Sequence, residues 1–576
     1  MRWVLKFIKE YNLKYWIANI MIILGDGISE IFPVILLGKI IDKGIYQNNF
    51  SSIPYMFVIS ISMYFLGRMI TYFGVLIIDK IRFKLAHKLK TVCYKKLNEL
   101  DQSFYQENSL GELNTRLTTD VNIIHHNMCF VIKQAMSMLI TSILAIIYCL
   151  YINPVLALII LIPTPIIAFI SNAHIKNSKS LYVEQRESLS DLNNFIQENI
   201  EGNRTIKNFG TEQKEIDEFK IKNRKVKNKN MNIQNVNINY NNKVTFLPYC
   251  MQLLLIIFGG IFVMKGYTTI GEFIIINSFI NTIKKPFIEL SGFINEWQRF
   301  KVSVSKIRKL LNTNSKIKNL GKLELNSWND ITFDNVSVKY NNKQVIENIN
   351  ISFKTNKTYA FIGKIGSGKS TIGKLLLRLI ESSSGRITID GIAINNYTLE
   401  SLRKNIGYVS QTPFLFSDTI ANNVSFGNEN LTKEEIIDYL ELVKANYIFD
   451  LPNNIDTVIG ENGVNLSGGE KQRLSLARAI AKKPSILILD DITSALDFET
   501  ELEINNNINN LKYECTKIII AQKILSVKNA DTIFVMDDGK IIECGSHEEL
   551  LQKNGTYKEI YNIQTNSMEE YTYGSK

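Results

Sequence analysis

The sequence predicts a multidomain membrane protein, with an all-α domain of six transmembrane helices followed by an α/β domain of the P-loop class. Three observations support this prediction. Long apolar segments are confined to the chain before residue 294, a glycine-rich loop begins at Gly363, and a strand-like segment precedes that loop while a helix-like segment follows it. The mean hydropathy of the 576 residues is close to zero because an apolar half is averaged with a polar half.

Six apolar segments have roughly the length that spans a bilayer. The connections at 79–130 and 171–245 are long and rich in lysine, whereas the other connections are short and carry few charges. The positive-inside rule therefore predicts that the long connections and both termini are cytoplasmic, in a multi-pass protein of the cell membrane in contact with lipid. The six segments are Trp16–Leu37, Met56–Ile78, Ile132–Ile152, Pro154–Ile170, Phe246–Val263 and Ile270–Phe293.

The two long polar connections are predicted to be helical extensions rather than loose loops, because they lack proline and contain little glycine. Helices that continue beyond the lipid and then fold back would reach a cytosolic domain. The predicted boundaries are a membrane domain at 1–310, a linker at 311–328 and the P-loop domain at 329–576.

The formal net charge of +11 could indicate a nucleic-acid partner. Lysine and arginine are, however, concentrated between the apolar segments, which is the distribution of a membrane protein, so no nucleic-acid partner is predicted. The six cysteines are scattered without a C-x-x-C pair, which argues against a disulfide framework or a zinc site.

The loop that begins at Gly363 fits the phosphate-loop pattern G-x-x-x-x-G-K-[ST]. Its glycines allow backbone N–H groups to converge on phosphates, and the following helix adds partial positive charge. Lys369 is predicted to reach the β- and γ-phosphates of ATP, and the Ser370 hydroxyl to bind Mg²⁺. ATP and Mg²⁺ are therefore the predicted cofactors. The predicted contacts in this loop are Gly363, Gly366, Ser367, Gly368, Lys369, Ser370 and Thr371.

A second candidate for the metal site is Asp490, which ends the apolar run Ile486–Leu489. A carboxylate in this position after a buried strand is the Walker B residue of P-loop proteins, which is expected to hold Mg²⁺ through water.

Leu466-Ser467-Gly468-Gly469-Glu470 resembles the signature motif of ATP-binding-cassette (ABC) proteins, and the residues around it agree with that family. The resemblance covers residues 331–560 densely and the membrane half loosely. It implies that Ser467, Gly468 and Gly469 contact an ATP molecule held by a second nucleotide-binding domain, packed head to tail. Because this chain contains a single such domain, the resemblance implies that it dimerises.

The same resemblance assigns further roles. Tyr340 would stack on adenine, Gln411 would lie in the Q-loop and contact the metal ion and the attacking water, and Asp497 would belong to the D-loop. Segments near 103–121 and 197–210 resemble the coupling helices of ABC exporters, which dock on nucleotide-binding domains.

Two positions depart from the ABC pattern. Asp491 stands where the family carries its catalytic glutamate, and Gln522 stands where it carries a histidine that contacts the γ-phosphate. Asp491 is one methylene shorter, and Gln522 cannot carry a positive charge. Together with the intact Lys369, Ser370 and Asp490, these changes resemble the degenerate subunit of heterodimeric ABC exporters, which binds ATP but hydrolyses it poorly.

Charged residues also occur within the apolar segments, at Asp26 and Glu30 in the first and Arg68 in the second. Such charges cost about 2.5–3.5 kcal/mol on insertion scales unless they are paired or hydrated. Two interpretations stay open, a polar patch that selects cationic cargo and an arginine–carboxylate clamp between the first two helices. Lys284-Lys285-Pro286 is expected to break the sixth segment.

The resemblance thus implies a half-size ABC exporter, an ATPase that drives export across the cytoplasmic membrane with a second half-transporter as its partner. Two alternatives stay open, a homodimeric exporter with slow hydrolysis and an ATP-gated channel or sensor. Multidrug, lipid and peptide exporters share these motifs, so a small molecule, a lipid or a peptide could be the cargo.

Overall fold

The computed structural model describes residues 2–340, 343–460, 463, 465–492 and 497–573. It divides into two compact units. The first comprises the chain up to Glu99 together with Ser109–Thr313, and the second comprises Leu100–Asn108 together with the chain from Asn314 onward. The first is helical and the second is α/β, which confirms the predicted fold class.

Long helices dominate the chain up to residue 312, in keeping with its apolar segments and its proline-poor connections. Residues 6–11 form a 3₁₀ turn, and wider π-helical turns occupy 40–46, 116–120 and 127–131. The helices are α1 Arg2–Leu5, α2 Asn12–Lys39, α3 Ser52–Glu99, α4 Gln102–Glu107, α5 Leu110–Thr115, α6 Val121–His126, α7 Ile132–Ile152, α8 Pro154–Leu161, α9 Pro163–Glu201, α10 Asn203–Phe209, α11 Glu212–Met264 and α12 Ile270–Asn312.

Within the described residues, five helical stretches are long and apolar enough to cross a membrane. The sixth predicted segment lies inside α12, whose apolar part also contains charged side chains. The expected break at Lys284-Lys285-Pro286 is wrong, because α12 continues through Pro286. A proline is tolerated in such a helix where neighbouring groups satisfy the freed carbonyl. The five stretches are Trp3–Tyr46, Ser52–Glu99, Leu110–Ile152, Pro154–Ser171 and Glu212–Met264.

Asp26 is the centre of a polar cluster that joins three helices. Its carboxylate accepts hydrogen bonds from Ser137 Oγ at 2.6 Å and Thr71 Oγ1 at 3.2 Å, and it pairs with Arg68 at 3.5 Å. This is the contact between the first two apolar segments that a clamp requires. Glu30 pairs instead with Lys285 of α12, at 3.4 Å.

α2 and α12 approach each other closely where the chain leaves α2. Asp42 accepts hydrogen bonds from the Gly271 backbone N–H at 2.7 Å and from Thr269 Oγ1 at 2.6 Å. A Cβ atom on Gly271 would overlap the Gly38 carbonyl oxygen, so the contact requires a glycine here. Small residues commonly allow such close helix contacts in membranes.

In the second unit, the strands form a four-stranded sheet in the order β2-β1-β4-β5 and a six-stranded sheet in the order β10-β9-β3-β8-β7-β6. The strands are β1 Asp330–Tyr340, β2 Lys343–Lys354, β3 Thr358–Gly363, β4 Ser384–Ile389, β5 Ile392–Ala393, β6 Ile406–Val409, β7 Ile486–Asp490, β8 Thr516–Ile520, β9 Thr532–Asp537 and β10 Lys540–Gly545. The helices are α13 Lys369–Leu376, α14 Leu399–Asn405, α15 Ile420–Ser425, α16 Lys433–Leu442, α17 Gly468–Ala481, α18 Phe498–Asn509, α19 His547–Gln552 and α20 Thr556–Tyr573.

The core of this unit is built on strands that are buried on both faces. All five residues of β7 are buried, as a strand in the middle of a parallel sheet requires. Strands β3, β8, β7 and β6 pair in parallel, so their carboxyl ends lie at one edge of the sheet.

The segment Leu100–Asn108 is separated from the rest of the second unit by more than 200 residues of sequence, yet it belongs to it. The Asp101 carboxylate accepts hydrogen bonds from the Lys316 backbone N–H at 2.5 Å and from Ser315 Oγ at 3.1 Å. Burial opposes ionisation of Asp101, but these bonds and those from Ser103 and Phe104 outweigh burial and lower its pKa. The carboxylate thus fixes the start of the chain segment that leads into β1.

Candidate functional site

The candidate site lies at the edge where the parallel strands end. β3 leads into the glycine-rich loop, β6 is followed by Gln411, β7 ends at Asp490, and β8 is followed closely by Gln522. Ligands of open α/β sheets bind outside the carboxyl ends of the strands, so the sheet order itself assembles this site from distant parts of the sequence.

The loop depends on glycine for two different reasons. Gly368 has a φ of +96°, and a Cβ atom there would lie 2.6 Å from Ile346 Cγ2, so neither conformation nor space admits a side chain. Gly366 has a φ of +87° with open space around it, so only its conformation demands glycine. After these turns, helix α13 begins at Lys369.

Lys369 is buried and turned back onto its own loop. Its Nζ donates hydrogen bonds to the carbonyl oxygens of Gly363 and Lys364, each at 2.8 Å. Burial lowers the pKa of Lys369, and the charges of Asp491 and Asp490 oppose that shift. A buried ammonium group beside the N-terminus of α13 fits the phosphates of ATP.

Asp490 uses both carboxylate oxygens within the described structure. Ser370 Oγ donates to Oδ1 at 2.8 Å, and the Tyr408 hydroxyl donates to Oδ2 at 2.8 Å. A hydroxyl beside a carboxylate is the oxygen-only donor set that Mg²⁺ prefers. Sequence analysis missed Tyr408. The available signal was an aromatic residue near the end of the strand that leads to Gln411.

One carboxylate oxygen of Asp491 accepts hydrogen bonds from two side-chain amides. Gln411 Nε2 donates to Oδ2 at 3.1 Å, and Gln522 Nε2 donates to the same atom at 3.0 Å. Burial, followed by the charge of Asp490, raises the pKa of Asp491, while the two amides and Lys369 act in the opposite direction. The residue also has a left-handed φ of +50°, and its N–H donates to the Ile520 carbonyl at 2.7 Å. The two residues predicted to depart from the family pattern, Asp491 and Gln522, are therefore in direct contact.

A buried carboxylate, which sequence analysis also missed, contacts the segment that follows Gln522. Glu501 of α18 is 3 % exposed. It accepts a hydrogen bond from Ser526 Oγ and pairs with Lys523 Nζ at 3.2 Å. Asp497 begins α18 by accepting a hydrogen bond from the Thr500 N–H at 3.0 Å. The two contacts of Glu501 link α18 to the segment that carries Gln522.

The signature residues lie at the exposed N-terminus of α17. Ser467 Oγ accepts from the Glu470 N–H at 3.3 Å, and the Glu470 carboxylate accepts from the Ser467 N–H at 2.7 Å, a reciprocal capping box. Gly468 and Gly469 add no side chain at this helix end. The predicted Tyr340 side-chain contact, and Ser494, Ala495 and Leu496 of the predicted D-loop, lie outside the described residues.

Comparisons with known families and proteins agree with this architecture. Residues 15–287 match the family described as ABC transporter transmembrane region, and residues 346–494 match the family described as ABC transporter. An uncharacterized ABC transporter ATP-binding protein of Bacillus subtilis, YknU, is 32 % identical over 96 % of this chain and 97 % of its own length. An ATP-dependent lipid A-core flippase of Syntrophus aciditrophicus is 28 % identical over 97 % of this chain and 94 % of its own length.

Among solved structures, a bacterial Atm1-family ABC exporter with ATP bound superposes with a TM-score of 0.83. It covers 96 % of this chain and 98 % of its own, at 23 % sequence identity. That likeness establishes a shared fold.

Proposed function

The chain belongs to the ABC transporter family, and on that premise we propose that it is one half of a heterodimeric exporter whose own ATP site binds nucleotide but hydrolyses it slowly. Family membership makes it a multi-pass membrane protein with an ATP-binding domain and ATPase-driven translocase activity.

The residues of this chain fit ATP and Mg²⁺ as ligands. Lys369 and the backbone N–H groups of the loop would hold the β- and γ-phosphates, with Gly363, Gly366, Ser367, Gly368 and Thr371 shaping the loop. Ser370, Asp490 and Gln411 would hold Mg²⁺, which, when bound, neutralises charge on the phosphates.

One observation carries the proposal of impaired hydrolysis, namely that Gln411 and Gln522 both donate to Asp491 Oδ2. A catalytic carboxylate must reach the attacking water in the orientation that accepts its proton. Asp491 is shorter than glutamate, and one of its oxygens is held by two amides. Because misplacing a catalytic group by about 1 Å can cost roughly a hundredfold in rate, slow turnover is expected.

The signature helix supports the complementary half of the proposal. Ser467 and Gly469 lie at the solvent-exposed N-terminus of α17, where the capping box holds the helix end in place. We assign this end to the γ-phosphate of an ATP molecule held by a partner chain that supplies its own glutamate and histidine. The long basic connections and both termini would then face the cytoplasm, as the distribution of lysines favours.

The cargo is proposed at the level of chemical class. Several relatives are named lipid A-core flippases, and this favours a lipid-like amphiphile over a peptide. Asp26 is already satisfied by Arg68, Thr71 and Ser137, which favours the clamp interpretation over cation selection.

The proposal is tested with the full chain purified alone in lipid nanodiscs. Photolabelling with 8-azido-ATP should label the wild type and Lys374→Ala, a control lysine on α13, but not Lys369→Ala. Phosphate release should be slow in every case. Sustained release that Asp491→Asn abolishes would contradict the proposal and indicate a homodimeric exporter. ATP-dependent ion conductance in liposomes would indicate a channel.

A further inference from the structure

The C-terminal helix α20 contacts the segment that carries Gln522. Gln564 of α20 uses both the donor and the acceptor of its side-chain amide on that backbone. Its Nε2 donates to the Gln522 carbonyl at 2.8 Å, and its Oε1 accepts from the Ile524 N–H at 2.8 Å. The two bonds lie on either side of Lys523, so a single side chain holds the backbone that closely follows β8.

The Ile524 N–H requires a partner from outside its own turn. Ile524 begins a 3₁₀ turn that ends at Ser526, and the first N–H groups of a helical turn have no acceptor within it. The side chain of Lys523, which precedes the turn, makes no hydrogen bond that caps it. Because Ile524 is buried, an unpaired N–H here would cost free energy. Gln564 supplies the missing acceptor.

Helix α20 is itself anchored to the domain. The Glu543 carboxylate of β10 accepts hydrogen bonds from the Thr556 and Tyr557 N–H groups at the start of α20. Tyr557 is fully buried, and its hydroxyl lies 2.7 Å from His547 Nδ1. Gln564 follows Tyr557 by two helical turns and therefore lies on the same face of α20.

The backbone that Gln564 holds belongs to a residue of the candidate ATP site. Gln522 stands where the ABC family carries a histidine that contacts the γ-phosphate, and its side-chain amide donates to Asp491. Glu501 holds the same segment further along the chain, through the Ser526 hydroxyl. Gln564 acts instead on the Gln522 carbonyl, so the loss of its side chain would let the Gln522 amide move.

We propose that Gln564 is a positioning residue of this ATP site, which keeps the Gln522 amide placed for the γ-phosphate and so sets the preference for a nucleoside triphosphate over a diphosphate. The inference rests on the proposed function in one respect, that this chain binds ATP. The γ-phosphate is the part of ATP that ADP lacks, so a displaced Gln522 weakens the binding of the triphosphate alone. The contacts that Lys369 and the glycine-rich loop offer to the other phosphates are unchanged.

The test uses the full-length chain in nanodiscs with the fluorescent nucleotide TNP-ATP and Mg²⁺. The non-hydrolysable triphosphate AMP-PNP and the diphosphate ADP are added separately to displace it. For the wild type, AMP-PNP should displace TNP-ATP at a lower concentration than ADP does. Gln564→Met keeps the length of the side chain but removes both hydrogen bonds, and it should reduce this preference by about three- to tenfold. Gln522→Ala should reduce it to a similar extent.

Combining Gln564→Met with Gln522→Ala separates positioning from a general structural role. If Gln564 acts through Gln522, the combined variant has the same preference as Gln522→Ala alone, because the positioned amide is already absent. Gln564→Glu keeps an acceptor for the Ile524 N–H and loses only the donor to the Gln522 carbonyl, so it should fold and still show the reduced preference. Asn562→Ala, at an exposed position of the same helix, is the control and should leave the preference unchanged.

The outcomes distinguish the inference from the proposed function. Reductions that add in the combined variant, or an equal weakening of AMP-PNP and ADP by Gln564→Met, would overturn the inference while the ATP site stands. A preference that Gln564→Met leaves unchanged, or a wild type that binds both nucleotides equally, would do the same. If TNP-ATP does not bind to the wild type, or binds equally well to Lys369→Ala, the proposed ATP site fails as well.

Discussion

The Gln522 side-chain amide donates a 3.0 Å hydrogen bond to the carboxylate of Asp491. These are the two positions that the resemblance to ABC proteins marks as departures from that family's pattern. Each satisfies part of the other's hydrogen-bonding capacity, so they form a coupled pair, and residues in direct contact are expected to show non-additive effects when both are changed.

Restoring both family residues should raise hydrolysis. Asp491→Glu extends the carboxylate by one methylene, and Gln522→His removes an amide from it, so the double variant should release phosphate at least about tenfold faster than the wild type. The rate of phosphate release should rise much less in either single variant, because the other position still carries a residue that differs from the family's. The measurement is steady-state phosphate release by the purified chain.

The control for this repair is the same pair of changes combined with Lys369→Ala, which should show no gain. Equal and independent gains from the two single variants would contradict the coupling between Asp491 and Gln522.

Glu501→Ala should destabilise the P-loop domain. The change removes a buried acceptor that binds Ser526 and Lys523, and the loss of such hydrogen bonds costs about 1–3 kcal/mol. Lys523 is 46 % exposed in its side chain, so the ion pair itself contributes little of this. Thermal unfolding should shift downward by roughly 2–4 °C for each kcal/mol. Glu499→Ala, an exposed glutamate of the same helix, is the control, and an equal shift in both variants would contradict the prediction.

Asp26→Asn should weaken the membrane domain without changing which solutes are transported. The aspartate accepts hydrogen bonds from Ser137 and Thr71 and pairs with Arg68, and polar contacts between membrane helices contribute about 0.6–2 kcal/mol each. Unfolding temperature and transport specificity in liposomes are measured together. A changed cargo preference with unchanged stability would instead support the cation-selecting patch.

Gly271→Ala should disrupt the contact between α2 and α12, because its Cβ would overlap the Gly38 carbonyl oxygen and crowd Asp42. Overpacking of this kind typically costs about 1–3 kcal/mol. Gly292→Ala on the same helix is the matched control, since a Cβ there meets nothing within 4 Å. The unfolding temperature of Gly271→Ala should be lower than that of Gly292→Ala. Equal unfolding temperatures would contradict the prediction and show that the two helices move apart without a loss of stability.

Much of the architecture was predictable because its signals are local. The apolar segments and the phosphate loop are contiguous in sequence, and the order of strand, loop and helix around Lys369 is confirmed. The convergence of Gln411, Asp491 and Gln522 followed only from family resemblance. Their direct contact depends on the side-by-side placement of strand ends, which the sequence order does not encode.

The missed features are those that depend on register and long-range packing. Tyr408 contributes because it lies opposite Ile488 in the neighbouring strand, and Glu30 meets Lys285 across 255 residues of sequence. The predicted break at Pro286 is wrong because a neighbouring helix satisfies the carbonyl that the proline leaves unpaired: Ser142 Oγ of α7 donates to the Thr282 carbonyl at 2.8 Å.

The contact of Asp101 with Ser315 and Lys316 has a consequence for dissection of the protein. A fragment that starts at Asn314 would lack Leu100–Asn108, a piece of its own folding unit that is encoded between two membrane helices. A soluble version of this unit therefore has to include Leu100–Asn108 as well, because without it the Ser315 hydroxyl and the Lys316 N–H lose their acceptor.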